Sequence, residues 1–236
     1  MKVGAPSQEA VVETKQPCYF FNKRGIYETV GGYPRKISRR IKDIIDAIPA
    51  SYYSSVSSWG DNERIYFSIG DITLGDLNLT NCVVAYSIDS QVWTLLSFPF
   101  EIKRWHHYID SNDDETIIAG DDDGNVRKIL DGSDDSGTMI NWLLQYQVME
   151  FGSRGRQKDI SKLVVYSKNV QSGTVSCRVE EAGNFNPVGN VKENVQEITK
   201  DINGRYFEFR IQGQGKSVEI IGIDFPEANL NISYGK

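Results

Sequence analysis

The 236-residue chain is poor in the residues that most often carry chemistry or covalent cross-links. Its three cysteines, Cys18, Cys82 and Cys177, lie far apart and show no CxxC spacing, which supports neither a disulfide framework nor a zinc site. A reducing environment for assembly is the simpler expectation. The only histidines, His106 and His107, are adjacent in "KRWHHYID". Neighbours on a strand point to opposite faces, so the two cannot share one metal ion. One of them could pair with Asp110, but no recognisable motif places a nucleophile beside it. GxSxG, HExxH, P-loop and dinucleotide fingerprints are all missing. "GQGKS" at 213–217 lacks the first glycine of a phosphate loop, since position 210 is Arg210, and it reads as a hairpin turn. No run approaches the roughly 20 apolar residues of a membrane span. The opening "MKVGAPSQEAVVETKQP" has no apolar core of the signal-peptide kind. These absences point to a chain that is not an enzyme, needs no cofactor and has no membrane span. The net charge of −6 argues against a dedicated nucleic-acid surface but leaves room for a local basic strip.

What is present is alternation. Hydrophobic residues make up 39% of the chain, enough for a substantial core, and most occur in short alternating segments punctuated by turn residues. "CYFFNKRGIYETVGG" reads as a hairpin, with Cys18–Phe21 and Ile26–Val30 as strands and Gly25 free to take φ > 0 in the turn between them. "SSVSSWGDNERIYFSIG" repeats the design, with Gly60–Asn62 turning and Ile65, Phe67 and Ile69 on one face. "NCVVAYSIDSQVWTLLSF" turns at Ile88–Ser90, and "ETIIAGDDDGNVRKIL" turns at Asp122–Gly124. Successive antiparallel hairpins of this kind suit propeller blades better than a barrel.

One stretch breaks the pattern. Ile37, Ile41, Ile44, Ile45 and Ile48 recur at helical spacing, which predicts a helix over 37–48 with Ser38 as its cap and Pro49 as its stop. The same stretch concentrates Arg35, Lys36, Arg39, Arg40 and Lys42, either a solvated helix face or a contact strip for DNA or an acidic subunit. Beyond the polar junction "SDDSGTMIN" the segments lengthen. "INWLLQYQVMEFG", "KLVVYSK", "TVSCRVEE", "RYFEFRIQG" and "SVEIIGIDF" suit a β-sandwich. The fold expected is therefore all-β. Propeller-like blades occupy 1–135 with one short helix near 37–48, and a β-sandwich-like domain occupies 136–236. A second basic strip, Arg154, Arg156 and Lys158, sits in the loop "SRGRQKD".

Asp121, Asp122, Asp123 and Asn125 could supply oxygens to Ca²⁺, with Asp131, Asp134 and Asp135 near in sequence. An EF-hand loop needs Gly at its sixth position and Glu at its twelfth, between helices. Counting from Asp121, those positions hold Val126 and Gly132, and the flanks read as strands. The Asp123-Gly124 pair signals a type I′ hairpin, so a structural turn is the favoured reading and a cation loop the lesser one. Trp59, Trp93, Trp105 and Trp142 lie in or beside strands with apolar neighbours. They read as core, with stacking platforms of a carbohydrate- or host-receptor-binding β module as the alternative.

"YFFNKRGIYETVGGYPRKISRRI" resembles a recurrent blade of tailed-phage tail and neck propellers, in which Gly-Ile-Tyr is followed by a Gly and then Pro-x-x-Ile-Ser. The matching positions are Gly25, Ile26, Tyr27, Gly32, Pro34, Ile37 and Ser38. "IIAGDDDGNVRKILDGSDDSGTMINWLLQYQVMEFGSRGRQKDI" is similar to the terminal blade of the same proteins, where a Gly-Asp-x-x-Gly turn leads to an Asp-x-Gly junction. The resemblance implies a virion structural protein of a short-tailed phage, made in the host cytoplasm. It would be a nozzle, ring or DNA-stabilisation component. Its partners would be other virion subunits in a homo-oligomeric ring, with packaged DNA in the channel. Closing a propeller takes about four blades or more, and 1–135 supplies three, so further blades are expected from a longer polypeptide or another subunit.

Overall fold

A computed structural model describes residues 4–109, 111–113, 115–130, 139–151, 156–180, 184–226 and 228–229. The chain divides into two compact units, residues 1–131 and 132–236. No helix among the described residues is long and apolar enough to cross a membrane.

The first unit is a succession of antiparallel meanders. The first sheet is ordered β1 (Val11–Glu13), β2 (Cys18–Asn22), β3 (Gly25–Thr29) and β4 (Arg35–Lys36). The second repeats that order with β5 (Ser57–Gly60), β6 (Arg64–Leu74), β7 (Leu77–Ser87) and β8 (Val92–Ser97). A third follows with β9 (Arg104–Ile109), β10 (Glu115–Gly120) and β11 (Val126–Ile129). Two of the hairpins read separately from sequence, at 57–69 and 81–98, belong to one sheet. They are joined by a turn at Gly75–Asp76 that extends β6 and β7 beyond their apolar halves.

The alternation of β6 and β7 positions all three sheets. Ile65, Phe67 and Ile69 of β6, with Cys82, Val84 and Tyr86 of β7, face one core shared with Val12, Tyr19, Phe21 and Ile26 of the first sheet. The intervening Tyr66, Val83 and Ala85 face a second core shared with Ala119 and Ile129 of the third sheet. A strand pair buried on both faces reads as a continuous apolar run, as "IYFSIG" does. Face-to-face stacking of successive meanders is the arrangement of neighbouring propeller blades.

The isoleucine-rich segment is a broken helix. A 3₁₀ turn at Ser38–Ile41 precedes α1 (Lys42–Ala47), and a second 3₁₀ turn spans Ala50–Ser55. All five isoleucines reach the first core, and Ile48 turns to extended backbone before Pro49, as the ring of a following proline demands. Ser38 does not cap the helix as expected. It is fully buried and its Oγ accepts the Ile26 amide at 2.9 Å, while the Ile37 amide donates to the Ile26 carbonyl at 3.0 Å. Gly25 makes room for this lock: it has φ +139°, and a Cβ there would lie 2.4 Å from Ser38 Oγ. The Gly-Ile and Ile-Ser pairs of the blade-like motif thus meet in space.

The second unit is one six-stranded sheet curled into a half-barrel. Its order is β12 (Ile140–Gln145), β16 (Phe207–Asp224), β13 (Lys158–Val179) and β14 (Asn186–Val191), with β15 (Asn194–Gly204) and β17 (Ala228–Asn229) also on β13. The separate strands expected at "KLVVYSK" and "TVSCRVEE" are one 22-residue strand, and "RYFEFRIQG" with "SVEIIGIDF" form another of 18. Hence "GQGKS" is not a hairpin turn; it runs inside β16. Register shifts near Ser167, Val170 and Ser172 bend both long strands at the same level. At Gly213 the two backbones approach so closely that a Cβ would sit 2.1 Å from the Ser172 carbonyl oxygen. The curl brings Ile160, Leu163 and Val165 from one half of β13 onto the same core as Val175, Cys177, Phe207 and Phe209. A sandwich-like core results from one sheet whose strands change direction.

Ser38→Ala leaves the buried Ile26 amide without an acceptor, which costs about 1–3 kcal/mol. Equilibrium urea unfolding should show a lower midpoint with an unchanged m-value; a midpoint equal to wild type would contradict the lock.

Candidate interaction surface

The basic strip separates into engaged and unengaged cations. Arg35 on β4 pairs with Glu28 across the sheet at 2.6 Å, and the pair raises the Arg35 pKa through its hydrogen bond and charge. Lys36 donates to the Arg24 carbonyl oxygen, and Lys42 pairs with Asp46 one helical turn along. Arg39 and Arg40 are both exposed and make no side-chain hydrogen bond or ion pair with another described residue. The 3₁₀ turn sets them there. Residues three apart eclipse in such a turn, so Ser38 and Ile41 face the core and the arginines between them face outward. Beyond the neighbouring β3 strand, the loop before β4 carries an exposed Val30 and a fully exposed Tyr33.

The second basic strip is not a surface of three cations. Lys158 is 1% exposed and its Nζ donates to the carbonyl oxygens of Arg156 and Arg205, each at 3.1 Å. It ties the start of β13 to the turn before β16, which removes it from any docking surface. Arg156 is exposed, and Arg154 lies outside the described residues.

The aspartate loop is a turn held by its own side chains. Asp121 is buried, and its Oδ1 accepts the Asn125 amide at 2.7 Å while Oδ2 accepts Arg127 Nε at 2.8 Å. Asn125 Nδ2 donates to the same carboxylate, so two of the four proposed oxygen donors are engaged with each other. Asp122 and Asp123 are exposed at the tip. The turn is not the type I′ expected. That type needs φ > 0 at both central residues, whereas within 121–125 only Gly124 has it, at +85°. The Asp121 amide instead donates to the Asn125 carbonyl oxygen at 3.0 Å, closing a three-residue loop ending in a left-handed glycine. Among the described residues, no cluster of three His, Cys, Asp or Glu side chains could hold a metal ion. Asp131, Asp134 and Asp135 lie outside the described residues.

His106 and His107 alternate across β9, opposite Ile118 and Ile117 of β10, and His107 Nε2 lies 3.4 Å from Glu115. Asp110, suggested as a partner for one of the two histidines, is outside the described residues. The cysteines are free, and burial pushes the Cys82 and Cys177 thiols up to about 11 and about 12. Both are therefore thiols, not thiolates, near neutral pH.

The tryptophans pack against neighbours. Tyr66 lies between Trp59 and Trp105, each 5.7 Å away between centroids, and Trp105 Nε1 donates to Ser57 at 3.1 Å. Trp93 lies 4.6 Å from Tyr86, and Trp142 packs on the core of the second unit. Stacking platforms for a sugar would need faces that these contacts already use.

No protein-family model matches the chain, and no curated protein matches it.

A polar cluster on the outer face of the second unit escaped the sequence reading. Glu208 accepts Arg178 Nε at 3.0 Å and also Gln145 Nε2, while Arg210 Nε donates to Gln145 Oε1 at 3.2 Å. Phe185 lies against both cations, 3.8 Å from Arg210 and 4.8 Å from Arg178. The strict alternation Phe207-Glu208-Phe209-Arg210-Ile211 is the signal that could have revealed it. Its groups satisfy one another and staple β12, β13 and β16 on the side away from the core.

Asp121 carries a pH dependence. Burial alone would raise its pKa, but the Arg127 and Asn125 hydrogen bonds and the Arg127 charge outweigh it and hold the carboxyl down to about 2. A depressed folded pKa contributes stability above the unfolded value, and that contribution is lost as pH falls through the folded one. Thermal melts should lose stability between pH 4 and 2, with a shallower acid limb in Asp121→Asn. An identical acid limb would rule out the role.

Proposed function

We propose that the protein is a non-enzymatic structural subunit of a tailed-phage-type virion, part of the tail or neck assembly around the DNA channel. The observation that carries the reading is the stack of blade-like meanders, with Gly25, Ile26, Ile37 and Ser38 of the blade-like motif meeting at one buried lock. A motif whose residues hold a connecting helix to its own sheet has a structural reason to recur from blade to blade.

Within that reading, Arg39 and Arg40 are the contact residues. Exposed, unpaired guanidinium groups can bind phosphate or a carboxylate-rich neighbour bidentately. The net charge of −6 means that such contact is local, a strip against DNA or an acidic subunit and not a general nucleic-acid surface. Arg156 is the second candidate contact. Each phosphate neutralised contributes about 0.9 to the slope of log K against log salt. Fluorescence anisotropy with duplex DNA should therefore show a salt-dependent affinity whose slope falls by about 2 in the Arg39→Glu/Arg40→Glu variant. Equal slopes for the two proteins would remove DNA as the partner of this strip.

A further inference from the structure

The outer edge of β12 is an open strand in a protein that guards its other edges in the same sheet. β12 pairs with β16 on one side, and no described strand pairs with the other. The Tyr146 amide donates to the Phe209 carbonyl in register with the β12–β16 ladder. Even-numbered residues therefore direct their backbone groups to β16, and Asn141, Leu143 and Gln145 direct theirs outward. The strand "INWLLQ" has no charge, proline or bulge to deter pairing, and it exposes Ile140 (45%), Leu143 (42%) and Leu144 (36%). The other edges carry charge or irregularity. β14 carries Pro187 and a register irregularity, β15 carries Glu197, Lys200 and Asp201, and the part of β16 beyond Gly215 carries Glu219 and Asp224.

We infer that β12 pairs antiparallel with β12 of a second copy about a two-fold axis through Leu143. This inference does not depend on the virion reading. Three features of the strand favour its own copy as the occupant. Trp142 faces the core, so Ile140 and Leu144 share its face, while Asn141, Leu143 and Gln145 share the other. Registers with an even residue sum keep both cores on one side of the joined sheet. Among them, the register centred on Leu143 sets Trp142 against Leu144 and Asn141 against Gln145. The outward backbone groups of 141, 143 and 145 then meet those of 145, 143 and 141, so every open donor and acceptor of the edge is matched. Leu143, half exposed in the single chain, is covered by its own copy. Neither β14 nor β15 offers a comparable apolar, uncharged edge for a head-to-tail pairing.

Sedimentation equilibrium of the full chain should give a dimer in the micromolar range. Leu143→Lys sets like charges opposite each other and should raise the dissociation constant about tenfold or more. Because Leu143 lies on the outer face, its circular dichroism and melting should stay native. A second variant makes the register testable. Directly opposed residues of a hydrogen-bonded antiparallel pair have Cα atoms about 5.5 Å apart, within disulfide reach. With Cys18→Ser as background, since Cys82 and Cys177 are buried, Leu143→Cys should cross-link to a dimer under mild oxidation and Asn141→Cys should not. A chain that stays monomeric to hundreds of micromolar overturns the inference and leaves the edge to an unlike partner. An oligomer that neither responds to Leu143→Lys nor cross-links at 143 overturns it equally.

Discussion

The first unit depends on one constraint: the β5–β8 sheet has apolar residues on both of its faces, so it must be covered on both. A buried aromatic side chain removes about 150–250 Å² from water, which at about 25 cal/mol per Å² is roughly 4–6 kcal/mol for each ring. Phe67 on one face and Tyr66 on the other are such rings. An exposed ion pair contributes about 0–1 kcal/mol, so Arg35–Glu28 and Lys42–Asp46 cannot decide where the sheets sit. The stack is set by apolar burial, and the ion pairs decorate a geometry already determined. The isoleucine helix follows from the same demand, because it closes the open end of the first core. The break between its 3₁₀ and α portions reflects the pull of Ser38 toward the Ile26 amide.

The all-β class, the four hairpin turns read in the first unit and the facing of Ile65, Phe67 and Ile69 were legible because period-two alternation is a local signal. What was not legible was which hairpins share a sheet. The hairpins at 57–69 and 81–98 look independent because "DITLGDLNLT" between them is half polar, yet β6 and β7 continue through it, with Ile72, Leu74 and Leu79 packed on the first core. In the second unit the difficulty was sharper. A bulge inside a long strand and a turn between two short ones draw on the same residues: glycine, asparagine and serine. "KNVQSG" and "GQGKS" therefore punctuate the sequence without interrupting β13 or β16. Only pairing with a partner strand, a non-local fact, separates the two cases.

The aspartate loop illustrates a similar limit at the scale of one side chain. Three adjacent carboxylates look equivalent in sequence, but the pleat sends Asp121 inward to Arg127 and leaves Asp122 and Asp123 at the tip. Inward placement turns a possible ligand into a structural acceptor, since its oxygens are saturated by the turn that they hold. The same sorting applies to the cations. Lys158 was read as part of an exposed basic loop, but it begins a strand at a point where two carbonyl oxygens, of Arg156 and Arg205, need a donor. Lysine can fill that position because its long apolar stem spans the edge of the core before the ammonium reaches them.

Charge density in a sequence therefore locates a functional surface only after the structural uses of each charge are subtracted. In "YPRKISRRI" that subtraction leaves two of four cations: Arg35 and Lys36 support the sheet edge, whereas Arg39 and Arg40 make no hydrogen bond or ion pair with a described residue. Their freedom follows from the turn that holds them. A 3₁₀ turn committed at Ser38 and Ile41 leaves the two arginines between them exposed, away from the core. The buried lock and the exposed arginines are thus two consequences of one local conformation, and a change that unwinds the turn should disperse both.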